Sequence, residues 1–265
     1  MFMRDLIIKG ASGYGDSIYL YPIVKYFLMS GYDPIVMTNF PFVFKKIDVE
    51  TIDFNSDIKP DILCNYFDFK EKSKKSQFYD MKYLARVPLD LKLEIDLEMH
   101  SSIISGYDIK KLADGKKICV IKNPSVPHMA KALLDFSPSH EQFQKIIDTK
   151  KDKYFFVSVG YSKEIYHKLN GIDLDLCDKT LAYEILYLCD IADMILTQSG
   201  FLLPIGEALD KPTVCIMSRK ALKSENWSMR TIRREKVKCG ESSIVIYDDE
   251  DGLDAFERAQ LKSSR

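Results

Sequence analysis

The chain carries almost no surplus of charge: 38 Lys and Arg stand against 39 Asp and Glu, a net charge of −1. That balance removes any overall electrostatic pull toward nucleic acid or an anionic membrane surface. No apolar run reaches the roughly 20 residues that a bilayer-spanning helix needs. Arg4 and Asp5 interrupt the N-terminus, so no signal peptide is expected. The six cysteines (Cys64, Cys119, Cys177, Cys189, Cys215 and Cys239) contain no C-x-x-C pair and mostly sit in apolar patterns, as reduced, buried thiols do. His100, His128, His140 and His167 show no metal-ligand spacing, and no Ser-His-Asp elbow is present. These absences lead to the expectation of a soluble cytoplasmic protein with no metal and no resident cofactor.

At 265 residues the chain is near the length at which single cores begin to split. Its 46% hydrophobic content, with 15 Phe and 15 Tyr, is ample for a core. The most informative stretch is Gly10-Ala11-Ser12-Gly13-Tyr14-Gly15-Asp16, which follows the apolar run Leu6-Ile7-Ile8 and precedes a helical pattern over 17–29. A first strand that breaks into a glycine-rich turn is where open α/β sheets place their ligand crevice. A dinucleotide fingerprint fails here because Ile18 occupies the place of the third glycine, and a P-loop fails because no lysine follows Gly15. What remains is a loop of Ser12, Gly13, Tyr14 and Gly15 that a substrate can approach closely, with Asp16 beside it. Such an aspartate either caps the helix, favoured by the macrodipole, or is presented for chemistry.

Strands are expected at 5–9, 34–38, 50–54 and 61–65. A polar, lysine-rich stretch at 70–89 becomes amphipathic around 78–86, and 109–117 reads as a linker. The alternation then restarts, with strands at 117–122, 154–159, 194–197 and 213–217 and helices at 139–149, 179–190 and 203–209. A last helix at 251–261 would pack back on one half. Repeated β-α-β units imply parallel sheets covered on both faces. The simplest arrangement is α/β, two Rossmann-like domains facing across a cleft: 1–112, 113–250 and a closing helix within 251–265.

The second half has its own punctuation, Gln198-Ser199-Gly200-Phe201, directly before a helix. Unpaired backbone N–H groups in such a turn suit a phosphate or pyrophosphate. Glu207, farther along that helix, is either a ribose-hydroxyl acceptor or a solvated helix residue. Gly160 and Tyr161 stand at another strand end. A basic run follows the strand at 213–217: Arg219, Lys220, Lys223, Arg230, Arg233, Arg234, Lys236 and Lys238 against Glu225 and Glu235, with Trp227 among them. Basic residues interleaved with an aromatic grip polyanions and stack on bases, so a phosphorylated acceptor, a donor diphosphate or DNA each fits.

Taken together, the two halves resemble a GT-B glycosyltransferase, and specifically the heptosyltransferase family (glycosyltransferase family 9). The residues that carry the resemblance are Gly15-Asp16 with Pro22 six positions on, Ala192-Asp193, Gln198-Ser199-Gly200, and Ala208-Leu209-Asp210-Lys211-Pro212. Leu203 stands where the family usually has histidine, and the stretch from Gly200 to Pro212 is one residue longer than usual. The resemblance implies an inverting, metal-independent transfer from a nucleotide-diphosphate sugar to an acceptor hydroxyl, with Asp16 as general base. It also implies a donor site that includes Asn123, Ser125 and Lys131, beside Gly160, Tyr161, Gln198, Ser199, Gly200, Phe201 and Glu207. The expected acceptor is a saccharide or glycan. A hydroxymethylated base of viral DNA, reached through the run 219–238, is the alternative acceptor. A non-catalytic nucleotide-binding module is the alternative of another class.

Overall fold

The computed structural model describes residues 4–10, 12–64, 108–125, 137–165, 167–198, 200–220 and 242–262. The stretch 70–89, Lys131, Ser199 and most of the basic run, from position 221 to 238, lie outside the described residues. By internal contact the chain divides into two units, Met1–Asp96 and Leu97–Arg265.

The first unit holds a four-stranded parallel sheet. Strands β1 (Arg4–Lys9), β2 (Tyr32–Thr38), β3 (Glu50–Asp53) and β4 (Ile62–Leu63) run in the order β3-β2-β1-β4. Helix α1 (Tyr14–Met29) crosses from β1 to β2 and packs against β2. Ile8 and Val36 of the sheet are buried with Ile18, Ile23 and Val24 of the helix. A short 3-10 helix, Pro41–Ile47, adds Phe44, whose ring stacks on Tyr21 with centroids 6.2 Å apart. Pro22 lies inside α1. It has no N–H to offer the Ile18 carbonyl, the bond an interior proline always removes.

The second unit holds a six-stranded parallel sheet. Its strands are β5 (Lys117–Ile121), β6 (Tyr154–Ser158), β7 (Leu174–Asp175), β8 (Met194–Gln198), β9 (Thr213–Met217) and β10 (Ser243–Tyr247). They run in the order β10-β9-β8-β5-β6-β7. The helices are α2 (Ile109–Leu112), α3 (His140–Lys150), α4 (Ala182–Ile191), α5 (Leu202–Ala208) and α6 (Gly252–Lys262).

Every residue of β6, β8 and β9 is buried, the pattern of a parallel sheet covered on both faces. Alternation along the strands sends Cys119, Ile121, Phe156, Met194, Leu196, Val214 and Ile216 toward Phe143, Ile146 and Ile147 of α3 and Ala255, Phe256 and Ala259 of α6. The Tyr154 and Phe256 rings meet edge to face at 5.2 Å. The terminal helix therefore packs within the second unit, against α3, β9 and β10.

Several elements differ from the sequence reading. Helix α1 begins at Tyr14 and not at position 17, because Gly13, extended at φ −83° and ψ 156°, is already its N-cap. The expected linker 109–117 opens with α2, a single turn whose N-cap Asp108 accepts the Lys111 N–H at 3.1 Å and whose Ile109 is buried. Helix α4 starts three residues late, where the Glu184 carboxylate accepts the Leu181 N–H at 2.6 Å. Strands β7 and β10 have no counterpart in the sequence reading. Among the described residues no helix is long and apolar enough to cross a membrane.

Candidate active site

In an open parallel sheet, ligands bind beyond the carboxyl ends of the strands, where the strand order reverses direction. The first unit reverses between β1 and β4: β2 and β3 add on one side of β1 and β4 on the other. The Ile7 N–H donates to the Asp61 carboxylate at 2.9 Å, and the Cys64 N–H donates to the Lys9 carbonyl at 2.7 Å. The glycine turn leaves β1 at that point. Its Ser12 carbonyl accepts from Asn39 Nδ2 at 3.3 Å. The hydroxyls of Ser17 and Thr38 meet at 3.1 Å, and the Phe40 N–H donates to Thr38 Oγ1 at 2.9 Å. These bonds join the turn to the carboxyl end of β2.

Asp16 is the third residue of α1 and is half-buried. Its Oδ2 accepts the Gly13 N–H at 3.1 Å, so the carboxylate does close the helix terminus. That terminus also favours negative charge. A methyl group at position 13 would stand 2.5 Å from the same oxygen, which makes glycine a requirement of this carboxylate's position. Tyr14 is buried and stacks on Phe40, centroids 5.0 Å apart, with Phe42 edge-on at 5.7 Å. It is an aromatic support for the turn. Ser12 is exposed, and Gly15 is half-buried beside Asp16.

The second unit reverses between β5 and β8, since β6 and β7 add on one side and β9 and β10 on the other. Side chains join the strand ends there. Asn123 Nδ2 donates to Ser158 Oγ at 3.0 Å. The Ser125 N–H donates to Gln198 Oε1 at 3.1 Å, and Gln198 Nε2 returns bonds to the Ser125 carbonyl at 2.6 Å and hydroxyl at 2.9 Å. All four side chains are buried. Of the residues predicted from sequence for the donor site, Asn123 thus pairs with Ser158 across β5 and β6, and Ser125 pairs with Gln198 across β5 and β8.

Lys122, which precedes Asn123 at the end of β5, was not foreseen. Its N–H donates to the Leu196 carbonyl at 3.1 Å, extending the β5–β8 ladder by one residue. Its ammonium lies 3.8 Å from the Glu164 carboxylate and 5.0 Å from the centre of the Phe201 ring. Burial pulls its pKa down, opposed by the charges of Glu164 and then Cys177. A side chain on Gly200 would lie 3.5 Å from Lys122 Nζ, and one on Gly160 would lie 3.9 Å from its stem.

Gly160 has φ +120°, a conformation glycine alone adopts without strain. The loop it opens is anchored by Asp178. The Asp178 N–H donates to the Gly160 carbonyl at 2.9 Å, and its carboxylate accepts the Ser162 N–H at 3.2 Å and the Ser162 hydroxyl. Those bonds to Ser162 hold the exposed Asp178 carboxyl below its ordinary pKa. The signal for Lys122 in the sequence is a lysine directly after the apolar run Ile118-Cys119-Val120-Ile121, at the carboxyl end of a strand.

Other predicted residues are placed differently. Tyr161 is 66% exposed at the edge of the loop. Glu207 is buried in α5, close enough to Cys215 for its charge to add to the upward push of burial on that thiol. Lys131 and Ser199 lie outside the described residues. Arg219, first of the basic run, is already engaged: its guanidinium contacts the Asp249 carboxylate at 2.9 Å and lies 3.8 Å over the Tyr247 ring. Among the described residues no group of three or more His, Cys, Asp or Glu is gathered as a metal site.

No protein-family model matches the chain, and no curated protein matches it by sequence. Solved structures do. The family 9 glycosyl transferase of Veillonella parvula superposes with a TM-score of 0.58 at 12% identity, covering 98% of this chain and 89% of that one. The Escherichia coli ADP-heptose LPS heptosyltransferase II gives a TM-score of 0.64 at 12% identity, covering 99% and 100%. The Escherichia coli heptosyltransferase WaaC, solved with ADP-2-deoxy-2-fluoro heptose, gives 0.53 at 10% identity, covering 99% and 98%. At such identities the likeness is one of fold. The resemblance read from the two glycine turns is borne out at that level: the chain has the GT-B fold of the heptosyltransferases.

Proposed function

We propose that this chain is an inverting glycosyltransferase that moves a sugar from a nucleotide-diphosphate donor to an acceptor hydroxyl without a metal, with Asp16 as general base. One observation carries the reading. Polar residues stand at the switch point of each parallel sheet, which supports the reading: Asp16 in the first unit, and Lys122, Asn123, Ser125 and Gln198 in the second. The structural neighbours support the donor class, since one was solved with an ADP-sugar analogue.

In the proposed reaction the acceptor oxygen attacks the anomeric carbon and gives its proton to the Asp16 carboxylate. The bond from that carbon to the donor's phosphate oxygen breaks, and its electron pair leaves with the nucleoside diphosphate. A carboxylate held by a backbone N–H needs no reorganisation to accept the proton, and a positioned base of this kind contributes about 10²- to 10⁴-fold. The Leu203 position and the lengthened Gly200–Pro212 stretch set the donor side apart from the family pattern, so the sugar is left to a screen. The acceptor we favour is a saccharide.

The test is Asp16→Asn, which keeps an oxygen for the Gly13 N–H and removes the base. Turnover of whichever nucleotide sugar the wild type uses should fall about 10²- to 10⁴-fold, with nucleoside-diphosphate affinity unchanged. Undiminished turnover would remove Asp16 from the mechanism. Nucleotide binding with no transfer to any acceptor in the wild type would make the chain a binding module.

A further inference from the structure

We propose that Lys122 binds the diphosphate of the nucleotide-sugar donor and carries the charge that grows on the leaving group. The inference rests on the transferase reading above. It adds Lys122 to the residues that the sequence assigned to the donor diphosphate.

Position comes first. Lys122 stands one residue past β5, at the switch point between β5 and β8, with its backbone bonded to Leu196. A ligand bound at that switch point would meet this ammonium. Two glycines lie beside it: a side chain on Gly200 would meet Nζ and one on Gly160 would meet the stem. Glycine at such a place lets a ligand come down onto the backbone. On one side of the ammonium stands the Phe201 ring, a face that tolerates a desolvated cation.

The charge balance is incomplete. Among the described residues Glu164 is the one charged partner of Lys122, and at 3.8 Å it is beyond hydrogen-bond distance. An ammonium has three donors to direct. A cation taken out of water and only loosely paired is a strong site for an anion that can approach more closely. A compact point charge beside two glycines suits a phosphate oxygen. The lowered pKa of Lys122, caused first by burial, is the signature of that unmet demand. Glu164 is then the counter-ion that holds Lys122 in place before the donor arrives, and it opposes the incoming phosphate.

The experiment measures binding of inorganic pyrophosphate, a panel of nucleoside diphosphates and the matching nucleosides by calorimetry. It uses the full chain as wild type, Lys122→Met, Lys122→Arg and Glu164→Gln. Wild type should bind at least one nucleoside diphosphate. Lys122→Met should weaken that binding at least about tenfold, as loss of a charged hydrogen bond does, and leave the nucleoside unaffected. Lys122→Arg should recover most of the affinity, and Glu164→Gln should tighten pyrophosphate. Wild-type affinity for ADP, whose phosphates are already fully ionised in that range, should also fall as pH rises through the lowered Lys122 pKa, a readout that holds even if Lys122→Met fails to fold.

Equal diphosphate binding by wild type and Lys122→Met, or ADP affinity flat with pH where that variant does not fold, overturns the role of Lys122 and leaves the transferase reading standing. A wild type that binds neither pyrophosphate nor any nucleoside diphosphate overturns both.

Discussion

The Gly13 amide donates to Asp16 Oδ2 at 3.1 Å, and a methyl on Gly13 would come within 2.5 Å of that same oxygen. The two residues are therefore fixed by one constraint: the carboxylate lies where only glycine leaves room.

Gly13→Ala should accordingly act through Asp16. The new methyl displaces the carboxylate, and a misplacement of about 1 Å in a catalytic group costs about a hundredfold. Steady-state kinetics should show kcat lowered by about that factor and nucleoside-diphosphate affinity unchanged, the same division as Asp16→Asn in milder form. A variant with wild-type kcat would show that the position of this carboxylate is not critical.

Gly206→Ala should act on stability. A methyl at 206 collides with the Thr213 hydroxyl and lies 3.2 Å from Ile195 Cδ1, so α5 could no longer lie as close to β8 and β9. Overpacking of this kind costs about 1–3 kcal/mol, read as a lower midpoint in urea denaturation. Thr213→Ala in the same chain should return part of the loss. Strictly additive effects would argue against the contact, since touching residues couple.

Lys122 should leave a mark on the pH dependence of stability. Its pKa in the folded chain is below the ordinary 10.5 because of burial. Between the folded value and 10.5 the unfolded chain holds the extra proton, so this group makes stability rise with pH across that window. Below the window both states are charged and the full penalty is present. Lys122→Met should therefore be more stable than wild type at neutral pH, with the gap closing as pH approaches 10.5. Parallel stability curves for the two proteins would show that Lys122 is not desolvated.

How much of this was legible in the sequence depended on range. The Asp16 turn was readable because glycine, carboxylate and strand end are neighbours in the chain. Gln198 and Gly200 were readable for the same reason. Lys122 was not, because Gly160, Glu164, Gly200 and Phe201 reach it only once β5, β6 and β8 are paired. Tyr14 was read as a surface of the turn, and only the folded positions of Phe40 and Phe42 turn it into support. Glu207 looked solvent-facing or ligand-facing by its spacing, yet α5 lies so close to the sheet that every one of its residues is buried. Strand β10 has a plain apolar pattern at 244–247. Its role is given only by its register against β9.

That last pairing bears on how the chain is made. Strand β9 is buried at every position and takes its outer hydrogen bonds from β10, with α6 laid over both. During synthesis β9 leaves the ribosome before either cover exists, an apolar edge open to any extended peptide. At about 5–20 residues per second that exposure lasts a few seconds in each nascent chain. Residues 243–262 should thus shield β9 from such pairing once they arrive.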